Sequence, residues 1–149
     1  MISFNNIVFM FHFISTSIMV GVIWVIQLVH YPTFLYIDKQ KYFNFQKFHM
    51  SKVSYIVMPT MTVELISGIY MLLESKNLIE NNLFLLAFSF LILNWVITGL
   101  VFVKIHNSLL IDYKMQTILL LVKLNWTRTI LWSLRLIFLT VIIFLFNMG

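Results

Sequence analysis

Apolar residues come in four long runs, separated by short stretches that hold nearly all of the charge. The first run covers residues 7–30 and the second 53–73, where Glu64 interrupts it. The third covers 83–105 and the fourth 118–146, where Arg128 and Arg135 interrupt it. Each run is close to the ~20 residues that a helix needs to cross about 30 Å of hydrocarbon. An open strand would leave unpaired backbone groups in lipid, so helix is the expected form. The pattern predicts an all-α integral membrane four-helix bundle, up-down-up-down, forming a single domain over residues 1–149.

Between the first two runs, Lys41, Asn44, Lys47 and Ser51 recur on one side, with Tyr42, Phe45, Phe48 and His49 on the other. That is helical spacing with an aromatic face. The spacing predicts an amphipathic helix from Asp38, a fitting N-cap, lying in the headgroup zone with its apolar side down. The stretch from Ile111 to Leu124 extends the last span backwards.

Composition agrees with lipid as the solvent. The chain has 149 residues, 61% hydrophobic and 10% charged, against roughly 25% charged residues in an average soluble domain. Ten basic residues against five acidic ones give a charge of +5. They form no stripe along which a phosphate backbone could run, so nucleic acid is not expected as a partner. There is no cysteine, which excludes disulfides, thiolate catalysis and iron–sulfur clusters. The first run has no preceding Lys or Arg and is longer than a signal-peptide core, so it is expected to stay as the first span.

Orientation follows from the basic residues. The first connection holds Lys39, Lys41, Lys47 and Lys52; the third holds Lys104, Lys114 and Lys123, with Arg128 just beyond. The second holds only Lys76, between Glu74 and Glu80. The positive-inside rule then places the first and third connections in the cytoplasm and both termini outside.

Ionisable residues inside a membrane are expensive, and so they are the informative ones. His30 ends the first span, His49 precedes the second, and His106 ends the third, all towards the same face. Asn125, Arg128, Trp132 and Arg135 fall on one stripe of the fourth span. Arg135 cannot face lipid, so the stripe must face inwards. At about 1.5 Å per residue, Arg135 lies around 10 Å below the cytoplasmic boundary. Glu64 lies near mid-bilayer, within reach of it and of opposite sign. Trp24 and Gln27 lead to His30 at three-residue spacing, and Thr60, Ser67 and Gly68 line the Glu64 face. His12, on the outer half of the first span, receives no role.

These residues predict a polar pocket open to the cytoplasm. Glu64, Arg128 and Arg135 are its candidate catalytic groups. His30, His49, His106, Asn125 and Trp126 are candidates for holding a cofactor, and the three histidines are candidate metal ligands. Imidazoles are common ligands for iron, copper and zinc, and haem also takes axial His. Either a haem or a non-haem metal ion is the expected cofactor, although no compact ligand motif such as HExxH is present.

The motifs Trp24-x-x-Gln27-x-x-His30-Tyr31-Pro32, His49 followed by Pro59 and Glu64, His106, and Asn125-Trp126-x-Arg128-Thr129-x-x-Trp132-x-x-Arg135 cover essentially the whole chain. With them the chain resembles a family of small, uncharacterised four-span bacterial membrane proteins. It is more distantly similar to the anthrone-oxygenase-like domain of unknown function. The first resemblance implies a bacterial inner membrane. The second implies oxygen-dependent oxidation of a polycyclic or quinol-like compound.

Three functions stand as alternatives. One is a haem- or metal-dependent membrane oxidoreductase acting on a small apolar or quinone-like compound. Another is a small proton-coupled carrier in which Glu64 titrates against Arg135; four spans would then have to form a homodimer. The third is an accessory subunit of a larger membrane complex.

Overall fold

The structure, a computed structural model, describes residues 4–74 and 78–146. Lys76 lies outside them, as does the side chain of Glu80. Four helical segments are long and apolar enough to span a membrane: Phe4–Tyr36, Lys39–Glu74, Asn82–Ile111 and Met115–Leu145. They form an up-down-up-down, all-α bundle, and no strand occurs among the described residues. The first span packs against the second and the fourth, and the third packs mainly against the fourth. Contact between the second and third is thinner. That thin seam opens the bundle sideways.

Exposure is inverted relative to a soluble protein. Phe11, Leu28, Ile66, Leu100, Ile137 and Phe144 face outwards, whereas His12, Gln27, Glu64, Asn94, Asn125 and Arg135 are buried. Between spans in lipid there is no hydrophobic driving force, so close packing and interhelical hydrogen bonds hold the helices together. Close approach is visible at Gly68, where an added Cβ would lie 2.6 Å from Cε2 of Phe88 on the third span and 3.0 Å from Cε1 of His12 on the first.

The segment from Asp38 to Ser51 is helical with an aromatic face, but it is not a separate helix. It forms the first turns of one continuous helix, Lys39–Glu74. No Gly or Pro stands between Lys39 and Met58 to end that helix, and Pro59 is accommodated within it. Tyr42, Gln46 and His49 are buried, with Tyr42 edge-on to Tyr113 at 4.8 Å and His49 edge-on to Phe34 at 5.0 Å. Tyr42 and His49 therefore help to close one end of the bundle, whereas Phe48 of the same face is exposed.

Two spans change pitch near that end. Ile26–His30 and Thr98–Phe102 are single π-helical turns, each closed by an i→i−5 bond: Tyr31 N–H to the Ile26 carbonyl, and Val103 N–H to the Thr98 carbonyl. Such turns insert one extra residue and rotate the helix beyond them, and they are frequent at functional sites. Here they precede Tyr31 and His106.

Candidate functional site

Polar side chains gather at two depths. The first group lies at the end of the bundle formed by the first and third connections. His30 leaves the first span there, and its Nε2 is 2.6 Å from Nδ1 of His49. The ring centroids are 4.6 Å apart, and His49 is 5.1 Å from His106. Three segments distant in sequence thus place their imidazoles side by side.

Hydrogen-bond directions are set by what each partner can do. The Gln46 amide nitrogen lies 3.2 Å from the backbone carbonyl of His106 and 2.9 Å from its Nδ1. A carbonyl only accepts, so the NH2 of Gln46 faces His106, and Nδ1 accepts as well. His106 is then the neutral tautomer with its proton on Nε2, and it donates to the Tyr31 hydroxyl at 3.0 Å. Arg128 stands beside that hydroxyl too.

Arg128 is 4% exposed. Its guanidinium sits over the Phe102 ring at 4.4 Å and over the Trp132 ring at 5.4 Å. Among the described residues it has no ion-pair partner, and its Nε has no hydrogen-bond partner. A cavity of about 140 Å³ opens next to it. Tyr31, His49, His106, Thr98 and Arg128 form its polar wall, while Ile26, Val53, Val57 and Phe102 supply the apolar one. Met58 and Val103, both exposed, stand at the mouth between the second and third spans.

The second group is deeper. Arg135 forms an ion pair with Glu64 through Nη1, and both side chains are fully buried. Its Nη2 is 2.8 Å from Nε2 of His12. Ser67 donates to the Val63 carbonyl at 2.5 Å, so it accepts from Nδ1 of His12 at 2.7 Å. His12 is therefore neutral with its proton on Nδ1, and its Nε2 accepts from Arg135. Trp132 donates to the other Glu64 oxygen at 3.4 Å. The same indole thus touches Arg128 on its face and Glu64 through its N–H, linking the two groups.

The sequence-derived candidates divide accordingly. His49, His106 and Arg128 line the cavity, and His30 backs His49. Glu64 and Arg135 meet each other but do not line it. Asn125 is buried and donates to the Gln27 side-chain oxygen at 2.9 Å, while Gln27 donates to the Val122 carbonyl at 3.2 Å. That makes Asn125 a brace between the first and fourth spans, away from the cavity. Trp126 is 40% exposed and edge-on to Trp24 at 5.7 Å, on the outer surface. A helix turns about 100° per residue, so Trp126 cannot share the inward stripe with Asn125. It does not line the cavity.

The described residues show no preformed metal site. No group of three or more His, Cys, Asp or Glu among the described residues is arranged to hold a metal ion. Both nitrogens of His106 are taken by Gln46 and Tyr31, and His30 and His49 are bonded to each other through one ring nitrogen each. The cavity is below the roughly 300–1,000 Å³ of pockets that hold drug-sized ligands, and a haem is at least drug-sized.

Tyr31, Gln46 and His12 are the participants that sequence reasoning passes over. Gln46 lies three residues before His49, on the same helix face. Tyr31 adjoins His30. His12 shares a helix face with Thr16, Met19 and Ile23, all buried. In comparison with known proteins, the chain matches no family model, no curated protein and no solved structure.

Proposed function

We propose that the protein binds a small apolar, quinone-like ring compound in the cavity beside Arg128 and exchanges protons with it, as the membrane-embedded part of an oxidoreductase reaction. The observation that carries this reading is a buried cation with no anionic partner among the described residues, at the end of a ring-sized apolar cavity. A cavity of about 150 Å³ is enough for benzene, so one ring fits and any tail would lie between the second and third spans, in lipid. Quinone chemistry develops negative charge on oxygen. A fixed cation in a low-dielectric site stabilises such charge far more than water does. The chain's own contribution is that cation together with two hydrogen-bonded pairs of proton carriers, Tyr31 with His106 and His49 with His30, whose His49 and His106 rings stand 5.1 Å apart. The site faces the cytoplasm if the basic connections do.

Tetramethylbenzoquinone titrated calorimetrically into the full chain in lipid nanodiscs, with empty nanodiscs subtracted, tests this reading. Saturable binding that is lost when Val57→Trp fills the cavity is expected. Heat no greater than that from nanodiscs carrying Val57→Trp would overturn it. Bound iron, another transition metal, or a Soret band in the purified protein would instead favour a resident cofactor and displaced histidine hydrogen bonds.

A further inference from the structure

Two groups of the cavity's polar wall, Tyr31 and Arg128, present donors side by side. Tyr31 already receives the Nε2 proton of His106 and stands beside Arg128, which leaves its own hydroxyl hydrogen for the cavity. Arg128 carries only donors, and its Nε is unused. The Ser54 hydroxyl donates to the Met50 carbonyl and supplies no hydrogen. Thr98, unpartnered, can serve either way. Charge points in the same direction. Glu64 neutralises Arg135 and Asp112 pairs with Lys114, but nothing on the described residues neutralises Arg128.

From this we infer that the cavity selects a monoanionic apolar acid of about one ring, its oxyanion held by the guanidinium of Arg128 and the hydroxyl of Tyr31. This inference rests on the ligand site proposed above and names the chemistry of the head group. A carboxylate has two oxygens and up to four lone pairs, so it accepts from both residues at once. A primary amide offers one neutral acceptor oxygen to Arg128 and Tyr31 and has no charge to match the cation, although its N–H groups could meet Ser54 or Thr98. An alcohol has no charge to match the cation. Charge-assisted bonds to a guanidinium are roughly twice as strong as neutral ones, and burial raises the difference because the alternative is an uncompensated cation in hydrocarbon.

Sodium benzoate and its neutral isostere benzamide, titrated calorimetrically into the full chain in phosphatidylcholine nanodiscs, give the test, with empty nanodiscs subtracted and tetramethylbenzoquinone measured in parallel. Benzoate is expected to bind at least about tenfold more tightly than benzamide. Arg128→Gln should weaken benzoate by about a hundredfold and abolish the preference. Tyr31→Phe, which removes one oxygen, should weaken benzoate by about tenfold and benzamide less. If Arg128→Gln does not fold, Tyr31→Phe decides. Unchanged benzoate affinity in that variant, or benzamide binding as tightly as benzoate, overturns the inference. Quinone binding without benzoate binding overturns the inference but leaves the ligand site standing. If neither compound binds, the site and the inference fall together.

Discussion

Arg135 donates to Nε2 of His12 at 2.8 Å across the middle of the bundle, with its other arm on Glu64. The arrangement is electrically balanced, because Nε2 of His12 accepts from Arg135 and its single ring proton is spent on Ser67, so the imidazole is neutral. One cation, one anion and one neutral acceptor are buried together. Breaking a buried pair by removing one partner costs on the order of 3–5 kcal/mol, while replacing both by apolar groups can be close to neutral. Glu64→Gln and Arg135→Met are therefore each expected to lower the unfolding temperature in detergent. The double variant should recover part of the loss, and strictly additive losses would show that the pair is not coupled.

His12 itself gives a separate test. Its tautomer is dictated by Ser67, which spends its hydrogen on the Val63 carbonyl. Nitrogen-15 NMR of labelled histidine should show a protonated Nδ1 and a bare Nε2 at position 12. His12→Leu keeps the bulk but leaves one Arg135 arm without an acceptor, and should cost about 1–3 kcal/mol. A protonated Nε2, or a silent His12→Leu, would contradict the assigned bond directions.

Much of this is legible in the sequence because lipid punishes polar groups so strictly. Four charge-poor runs leave no fold but a helical bundle, and two opposite charges at similar depth have no cheaper place than each other. The up-down path of the chain alone brings the histidines to one end. Direction around the helix axis is harder to read. The π turn at Ile26–His30 rotates the residues after it, so the face shared by Trp24, Gln27 and His30 does not continue regularly into Tyr31. Trp24 in fact points outwards to Trp126, while Gln27 is buried. His12 escapes notice for a different reason: its partners come from the second and fourth spans, and nothing nearby in sequence reveals them. Bond saturation is equally invisible. That His106 has no nitrogen free for a metal depends on Gln46, 60 residues away in sequence.

Sidedness is a matter of charge. Lys39, Lys41, Lys47 and Lys52 in the first connection, with Lys104, Lys114 and Lys123 around the third, lie at the end of the bundle that holds the cavity. Lysine bias in short connections sets orientation, so reporter fusions at the C-terminus should be active outside the cytoplasm and inactive within it. The converse pattern would put the cavity on the opposite side of the membrane.

Packing across the thin seam gives the last expectation. A Cβ at Gly68 would meet the Phe88 ring at 2.6 and 2.8 Å and His12 at 3.0 Å, whereas one at Gly21 meets nothing within 4 Å. The Phe88 ring end can swing aside, but Phe88 packs with Phe84 at 6.5 Å, and Phe84 in turn lies 5.3 Å from the His12 ring. Adding one methyl therefore disturbs both the contact of the third span with the second and the His12 bond to Arg135. Overpacking of this kind typically costs about 1–3 kcal/mol. Gly68→Ala should lower the unfolding temperature and shift the His12 nitrogen resonances, while Gly21→Ala changes neither. If Gly68→Ala lowers stability yet leaves those resonances in place, the strain is relieved on the Phe88 side alone, and the coupling between helix spacing and the buried charge pair is refuted.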